Sequence, residues 1–369
     1  MSALSAANFR DTTDLLEAAV TTRKVPSAVA AVGNKDDIAI IFAQGVRRYQ
    51  TPEEDDLLFV EDVSIHESTL YDLAELSQVM STLPSILKLL SAGFINLHDR
   101  VGRFFSNAGW LQANPIADAT IAQLLTHTAG LPAWKPLFAT TNDRKTATAN
   151  ILQTELCYDP GEWVQSDLGF MVLGAIIERV TNLRQDEFVR YYVLEPLDLL
   201  HTTYGPVMDS PVAATEDCSW RNQILEGIVH DENAFVMDGI AGHAGLFSNI
   251  ADVAMYAKAW LNLDARIAPT NLLEQATREQ VVSEDIRYGY GWMLASEGSS
   301  AGQHASSSAF GLTGATGTSV WIDPEQNWFG VLLSNAVHPH RGNAVAVHDL
   351  RTAFYESIAK TMTSSASSH

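Results

Sequence analysis

Short apolar runs at both ends of the chain, each pair divided by polar turn residues, predict two β-hairpins. The first pair is 28–32 and 38–43, separated by the turn residues 33–37, and the second is 319–322 and 328–333, separated by 323–327. Amphipathic patterns at 8–25 and 344–362 predict one helix near each end of the chain. Between the hairpins, residues 70–285 show mostly helical patterns interrupted by glycine and proline.

This order of elements favours an α/β (α+β) architecture in which both chain ends form one antiparallel sheet flanked by helices. We expect a single domain over residues 1–369. Its sheet subdomain would comprise about 1–70 and 286–360, and a large, mostly helical subdomain would comprise about 71–285.

The best-defined helical pattern lies within LYDLAELSQVMSTLPSILKLLSAGF, residues 70–94. Apolar side chains recur there at three- and four-residue spacing, namely Leu76, Val79, Met80, Leu83, Ile86, Leu87 and Leu90. Gly93 supplies a stop, and Pro84 removes one backbone hydrogen bond inside the pattern and is expected to bend the helix.

Composition and charge narrow the classes of partner. The chain is 46% hydrophobic and 18% charged, with a formal net charge of −21, so it is acidic and has enough apolar residues for a sizeable core. Nucleic acid and anionic membrane are disfavoured because both need basic surface. The sequence shows neither a signal peptide nor an apolar run long enough to span a membrane, and two cysteines do not make a disulfide framework. We expect a soluble, cytoplasmic protein with unpaired thiols.

Several stretches between residues 70 and 343 carry a family resemblance in their order along the chain. After the helix quoted above come IAQLLTHTAGLPAW, DPGEWVQSDLGFMVLGAIIERVT, EPLDLLHTTYG, VHDENAFVMDGIAGHAGLFS, FGLTGATGTSVWIDPE and LLSNAVHPHRGN. The ordered set resembles the serine β-lactamases and penicillin-binding-protein-like hydrolases, in particular their esterase-type and aminopeptidase-type branch. The resemblance implies the β-lactamase/transpeptidase-like fold.

The resemblance also implies three catalytic motifs, and the chain departs from each. Where the family has Ser-x-x-Lys at the start of the central helix, alignment on 72–74 and Gly93 places Glu75 and Gln78. The Tyr-x-Asn or Tyr-Ser-Asp motif is replaced by Gln165-Ser166-Asp167, and the Lys-Thr-Gly or His-Thr-Gly motif by Leu312-Thr313-Gly314. Glutamine is not a base near neutral pH, and leucine neither donates nor accepts a hydrogen bond.

Ser85 and Lys88 match Ser-x-x-Lys literally, in SILK. We reject this pair because Ser85 lies more than two turns inside the helix, where backbone amides are already bonded and cannot form an oxyanion hole. On a helical wheel both residues point away from the apolar stripe, which predicts a solvated face.

Glu75 and Asp167 are the remaining candidates for chemistry. A carboxylate at a helix N-terminus is favoured by the helix dipole, so Glu75 could simply stabilise that end. Alternatively, the two carboxylates could divide acid and base roles or hold a divalent cation. His127, His230 and His243 are expected to hydrogen-bond loops around the cleft, and we expect no metal site and no cofactor.

The sequence thus predicts a β-lactamase-like serine hydrolase homologue that has lost its nucleophile, lysine and tyrosine, with none of its catalytic groups intact. As such a pseudoenzyme it would retain a small-molecule cleft lined by Glu75, Gln78, Gln165, Asp167, Leu312, Thr313 and Gly314. Two alternatives stay open: an active hydrolase of esters, amides or glycosides that uses Glu75/Asp167 or Ser85/Lys88, and an interaction protein whose cleft is incidental. The glycines of GIAGHAGLF, residues 239–247, are expected to let the backbone approach the cleft closely.

Overall fold

A computed structural model describes residues 5–49 and 63–366 of the chain. Its α-helices are α1 Arg10–Thr21, α2 Leu83–Ser91, α3 Val101–Phe104, α4 Ile121–Leu125, α5 Arg144–Ile151, α6 Asp167–Thr181, α7 Gln185–Val189, α8 Glu232–Val236, α9 Ile250–Leu261, α10 Thr270–Ala276 and α11 Ala344–Ala366. Its strands are β1 Ser27–Gly33, β2 Ile38–Arg48, β3 Val63–Ser64, β4 Tyr71–Asp72, β5 Thr203–Tyr204, β6 Asp217–Cys218, β7 Gln223–Ile224, β8 Leu246–Ser248, β9 Val281–Ser283, β10 Ile286–Tyr288, β11 Met293–Leu294, β12 Phe310–Thr313, β13 Ser319–Asp323 and β14 Trp328–Leu333.

Strands from both chain ends form one antiparallel sheet. Within the described residues its order is β3-β2-β1-β14-β13-β12-β11-β10-β9, and the two chain ends meet where β1 pairs with β14. Both predicted hairpins are present, as β1–β2 and β13–β14. The predicted fold is therefore confirmed; the division into subdomains of one domain stays a prediction.

The two faces of the sheet bury different sets of side chains because successive residues of a strand point to opposite sides. In β1, Val29 and Ala31 belong to the large core that the sheet shares with the helical region, and α9 packs against β1 and β14 on that side. Ala28, Ala30 and Val32 face the smaller core under the terminal helices α1 and α11, which pack on each other. The helical region is thus held against one face only.

The central helical segment begins just after Glu75 and is not uniform. Residues Gln78–Thr82 form a π-helical turn, and α2 continues from Leu83 with Pro84 in its first turn. Pro84 has no N–H to donate to the turn before it, and the π-helical turn lies directly N-terminal to the segment that contains the proline. The predicted bend at Pro84 stays a prediction, and both parts of the segment are buried in the large core.

Candidate functional site

The turn that precedes the central helix is fixed by Asp72. Its two carboxylate oxygens accept the backbone N–H groups of Ala74, at 2.9 Å, and of His230, at 2.6 Å. Ala74 adopts φ of 48°, a left-handed conformation that is uncommon for a residue other than glycine. The strained turn presents Glu75 at the start of the helix, in keeping with the tendency of such strain to occur at functional sites.

A loop from the sheet crosses this turn. The hydroxyl groups of Thr316 and Thr318, in the connection between β12 and β13, donate to the backbone oxygens of Asp72, at 2.7 Å, and Leu73, at 3.0 Å. A β-carbon on Gly314 would lie only 2.6 Å from the Leu73 oxygen, so the approach requires glycine at that position. These contacts place the backbone N–H of Ala315 within hydrogen-bonding distance of the Glu75 carboxylate.

The Glu75 carboxylate accepts two backbone N–H groups. Its Oε2 accepts the Ala315 N–H at 2.6 Å, and its own backbone N–H also donates to the carboxylate. The Glu75 amide is not part of the helical ladder, because the first turn of a helix leaves its N–H groups free. One acidic side chain therefore occupies the point on which two free amides converge.

Gln78 and Asp167 join the central helix to α6. The Gln78 side chain is fully buried, and its Nε2 donates to Asp167 Oδ1 at 3.2 Å. Asp167 is the first residue of α6, and its backbone N–H donates to the Ala133 oxygen at 3.2 Å. Within the described part of the chain, Gln78 Oε1 is buried and has no hydrogen-bond partner.

Asp231 and His243 complete the cluster, and neither residue was predicted to line the cleft. His243 Nε2 lies 2.8 Å from Asp231 Oδ1, and the same oxygen accepts the Ala234 N–H at the start of α8. Both residues lie within one quoted motif, but nothing in its spacing indicates that they pair. His243 was expected only to support a loop, whereas it lies among the carboxylates.

The cluster shifts the pKa of each member. Burial raises the pKa of Asp167 to about 7, and the negative charges of Glu75 and Asp231 add to this effect while His243 opposes it. Burial also raises the pKa of Glu75, although its two amide donors counter the shift. Burial alone would lower the pKa of His243, but Asp231, Asp167 and Glu75 outweigh it and raise that pKa to about 9.

The other predicted cleft residues differ in exposure. Gln165 and Thr313 are partly exposed and Gly314 is buried. Leu312 is fully buried, belongs to the large core and pairs with Val320 across the sheet. The structure thus brings Glu75, Gln78 and Asp167 into one cluster, with Gly314 beside the turn that presents Glu75, and gives Leu312 an apolar environment.

The prediction that Ser85 lies on a solvated face is wrong. Ser85 is fully buried, and its hydroxyl donates to the Ser81 oxygen at 2.6 Å, while Lys88 Nζ donates to the Arg266 oxygen at 2.6 Å. The two side chains are committed to separate carbonyl groups. A helical wheel identifies the apolar face of a helix but does not show how many elements pack around it. This helix is packed against neighbours on more than one side, so Ser85 is buried as well.

The His127 side chain hydrogen-bonds a loop beside the cluster, as predicted, whereas His230 does so only through its backbone, and its buried Nδ1 has no hydrogen-bond partner among the described residues. His127 accepts the Ser166 N–H through Nδ1 at 3.0 Å and lies 3.1 Å from the Tyr288 hydroxyl through Nε2; burial lowers its pKa to about 4. The backbone of His230 binds Asp72, as described above. In residues 5–49 and 63–366, no group of three or more His, Cys, Asp or Glu side chains is arranged to hold a metal ion.

The fold is that of the serine β-lactamases and penicillin-binding proteins. The chain belongs to this family: the family model described as Beta-lactamase matches residues 12–353. A protein of Escherichia coli (strain K12) described as "Putative D-alanyl-D-alanine carboxypeptidase" is 32% identical over 317 residues, which cover 76% of this chain and 72% of that protein. A protein of the same description from Salmonella agona (strain SL483) is 32% identical over 306 residues, 73% of this chain and 70% of its own.

Solved structures with low sequence identity share the fold. The octameric penicillin-binding protein homologue from Pyrococcus abyssi superposes with a TM-score of 0.71 at 20% identity, covering 92% of this chain and 76% of that chain. The class C β-lactamase from Rhodobacter sphaeroides gives a TM-score of 0.73 at 14% identity, covering 95% and 98%. Among the helices that the structure describes, none combines the length and the apolar character needed to cross a bilayer.

Proposed function

We propose that this member of the family is a catalytically inactive homologue that retains a small-molecule cleft. One observation carries the proposal: the Glu75 carboxylate accepts the N–H groups of Ala315 and of its own backbone. By resemblance, these amides correspond to the pair that would stabilise the oxyanion of an acylated serine. A carboxylate at this point replaces the nucleophile and also occupies the oxyanion site.

The surrounding side chains support the same conclusion. Acyl transfer needs a hydroxyl group and a neighbour able to take its proton. Gln78 stands where the family has lysine, and an amide cannot take up a proton near neutral pH. In the described contacts, the carboxylate bonded to Gln78, that of Asp167, accepts from this amide and is not hydrogen-bonded to a serine hydroxyl.

The cytoplasmic location expected from the sequence stays a prediction.

We expect no covalent labelling when the protein is incubated with a fluorescent penicillin and run on a denaturing gel. An acyl-enzyme cannot form without the nucleophile, and the Glu75 charge repels the penicillin carboxylate. A class C β-lactamase serves as the positive control, and Glu75→Ala, which frees the two amides without adding a hydroxyl, should also stay unlabelled. Stoichiometric labelling of the wild type would refute the proposal.

The second candidate is a hydrolase that runs on Glu75 and Asp167. It is favoured by the Asp167 pKa, which burial and the nearby Glu75 charge help to raise to about 7, a value that suits a general acid. A panel of chromogenic esters and glycosides separates the two candidates. We expect wild type, Glu75→Ala and the remote variant Ser85→Ala to give the same rate as buffer. Turnover by the wild type that Glu75→Ala abolishes would establish the hydrolase instead.

A further inference from the structure

The cleft is rich in hydrogen-bond acceptors. Gln78 directs Nε2 to Asp167, so its other amide atom, the buried Oε1, is the one without a partner among the described residues. Glu75 and Asp167 add carboxylates that are only partly buried. A buried acceptor without a donor is costly, so a ligand that brings N–H donors would satisfy it.

The charges around the cluster do not cancel this acidity. His243 pairs with Asp231 at 2.8 Å, which balances one of the three carboxylates. Arg351, which lies within electrostatic range of Glu75, directs its NH2 group to the oxygens of Gly314 and Thr318. The nearby Arg221 donates to the backbone oxygens of Val229 and His230, and Asp72 adds a further negative charge. Glu75 and Asp167 therefore have no cation bonded to them in the described contacts.

A group of exposed and partly exposed aromatic side chains lies on segments that are hydrogen-bonded to the cluster. We call it the aromatic rim: Trp134, Phe138, Trp220 and Phe235, in which successive ring centroids lie 6.2, 4.9 and 5.9 Å apart. Trp134 follows Ala133, which binds the Asp167 amide, and Phe235 lies in α8, whose first turn is capped by Asp231. The rim thus includes the residue next to Ala133, whose oxygen binds the Asp167 amide, and a residue of the helix that Asp231 caps.

Large aromatic groups in this number are not usually left exposed. Trp134 and Trp220 are 47% and 49% exposed, and Phe235 is 39% exposed. Asn233 ties the two segments together, because it accepts the Phe138 N–H at 3.2 Å and donates to the Lys135 oxygen at 2.8 Å. The rim is therefore preorganised and offers apolar area, while the Arg221 guanidinium already lies over the rings of Trp220 and Phe235, at 5.2 and 4.6 Å from their centroids.

We propose that the cleft binds a primary ammonium compound that carries an aromatic or alkyl group. The ammonium would donate to Gln78 Oε1 and to the Glu75 and Asp167 carboxylates, and the apolar group would lie against the aromatic rim. Three N–H donors on one positive centre match a site made of acceptors and negative charge. This proposal rests on the proposed function, since it assigns a ligand class to the same retained cleft.

Phenethylamine, phenethyl alcohol and hydrocinnamate test the proposal as cationic, neutral and anionic probes of similar size. Binding is measured by calorimetry on the full chain at about pH 8, where Asp167 is ionised. We expect the amine to bind at least about tenfold more tightly than either other probe, the equivalent of one charge-assisted contact. Equal affinities, or tightest binding of hydrocinnamate, would overturn the proposal.

Variants separate the two halves of the site. Asp167→Asn should weaken amine binding about tenfold through loss of a charge-assisted contact, whereas the exposed-site control Asp209→Asn should not. Trp134→Ala should weaken it as well, whereas Trp110→Ala, at a tryptophan 45% exposed on another segment, should not. Amine binding that is the same in each variant and its control would place the ligand elsewhere and overturn the proposal.

The outcomes of the two proposals are distinguishable. Penicillin labelling would refute catalytic inactivity, whatever the affinity for amines. Failure of the amine to bind preferentially would remove the ligand assignment and leave inactivity standing. Circular dichroism spectra of all variants verify that each loss of binding occurs in a folded protein.

Discussion

A single methyl group added at Gly242 is expected to lower the free energy of unfolding by about 3 kcal/mol or more, as overpacking against backbone leaves no side chain that can move aside. A β-carbon there would lie 1.8 Å from the Phe170 oxygen and 3.1 Å from the Gly174 nitrogen, both on α6. Urea unfolding of Gly242→Ala against wild type measures the loss.

The matched control is Gly109→Ala. A β-carbon at Gly109 meets no atom within 4 Å, and this residue begins a short 3-10 helix, so alanine should change the free energy of unfolding by less than about 0.5 kcal/mol. Equal unfolding midpoints for the two variants would contradict the close packing of residue 242 on α6. Because His243 is the next residue, Gly242→Ala should also displace the Asp231–His243 pair.

Asp167→Asn is expected to stabilise the protein at pH 8 and to have little effect at pH 3, below the ordinary pKa of an aspartate. Burial and neighbouring carboxylates raise the Asp167 pKa from 3.8 to about 7. The native state therefore holds the proton more tightly than the unfolded state, so stability is full below the unfolded pKa and is lost as pH rises through 7. Asparagine has no charge to bury and retains an oxygen that can accept from Gln78.

The expected gain at pH 8 is about 2 kcal/mol, roughly half the free energy that a three-unit shift represents, because the side chain is partly exposed and solvent screens its charge. Urea unfolding at both pH values, with Asp209→Asn as an exposed control, measures the difference. If Asp167→Asn changed stability equally at the two pH values, the Asp167 carboxyl would have an ordinary pKa in the folded protein.

Local pattern was sufficient for the sheet and for part of the cluster. Apolar runs and turn residues predicted both hairpins, because strand pairing across a short turn depends on nearby residues. The motif resemblance placed Glu75, Gln78 and Asp167 in one cleft, and the structure brings these three together. Leu312 was named as a cleft residue, but the same strand also faces the large core, where Leu312 is fully buried.

Contacts between distant segments could not be predicted from the sequence. The Ala315 N–H donates to the Glu75 carboxylate although the two residues are 240 positions apart in the sequence. This contact forms only when the loop between β12 and β13 is hydrogen-bonded to the turn before the central helix. The glycines of residues 239–247 were expected to bring the backbone close to the cleft, whereas Gly242 approaches α6 instead. The prediction that Ser85 lies on a solvated face was wrong because burial depends on which distant segments pack around the helix.

By itself, the sequence gives the side chains that the family resemblance aligns with the motif positions: Glu75 with the serine, Gln78 with the lysine and Leu312 with the lysine or histidine of the third motif. Its periodicity, a local property, also predicted the hairpins β1–β2 and β13–β14, the two terminal helices and the central helix. Only the tertiary structure decided that the Glu75 carboxylate lies against two free amides and that Asp231 and His243 join it. Hydrogen bonds and charge interactions between distant segments exist only once the chain has brought them within a few ångströms of one another.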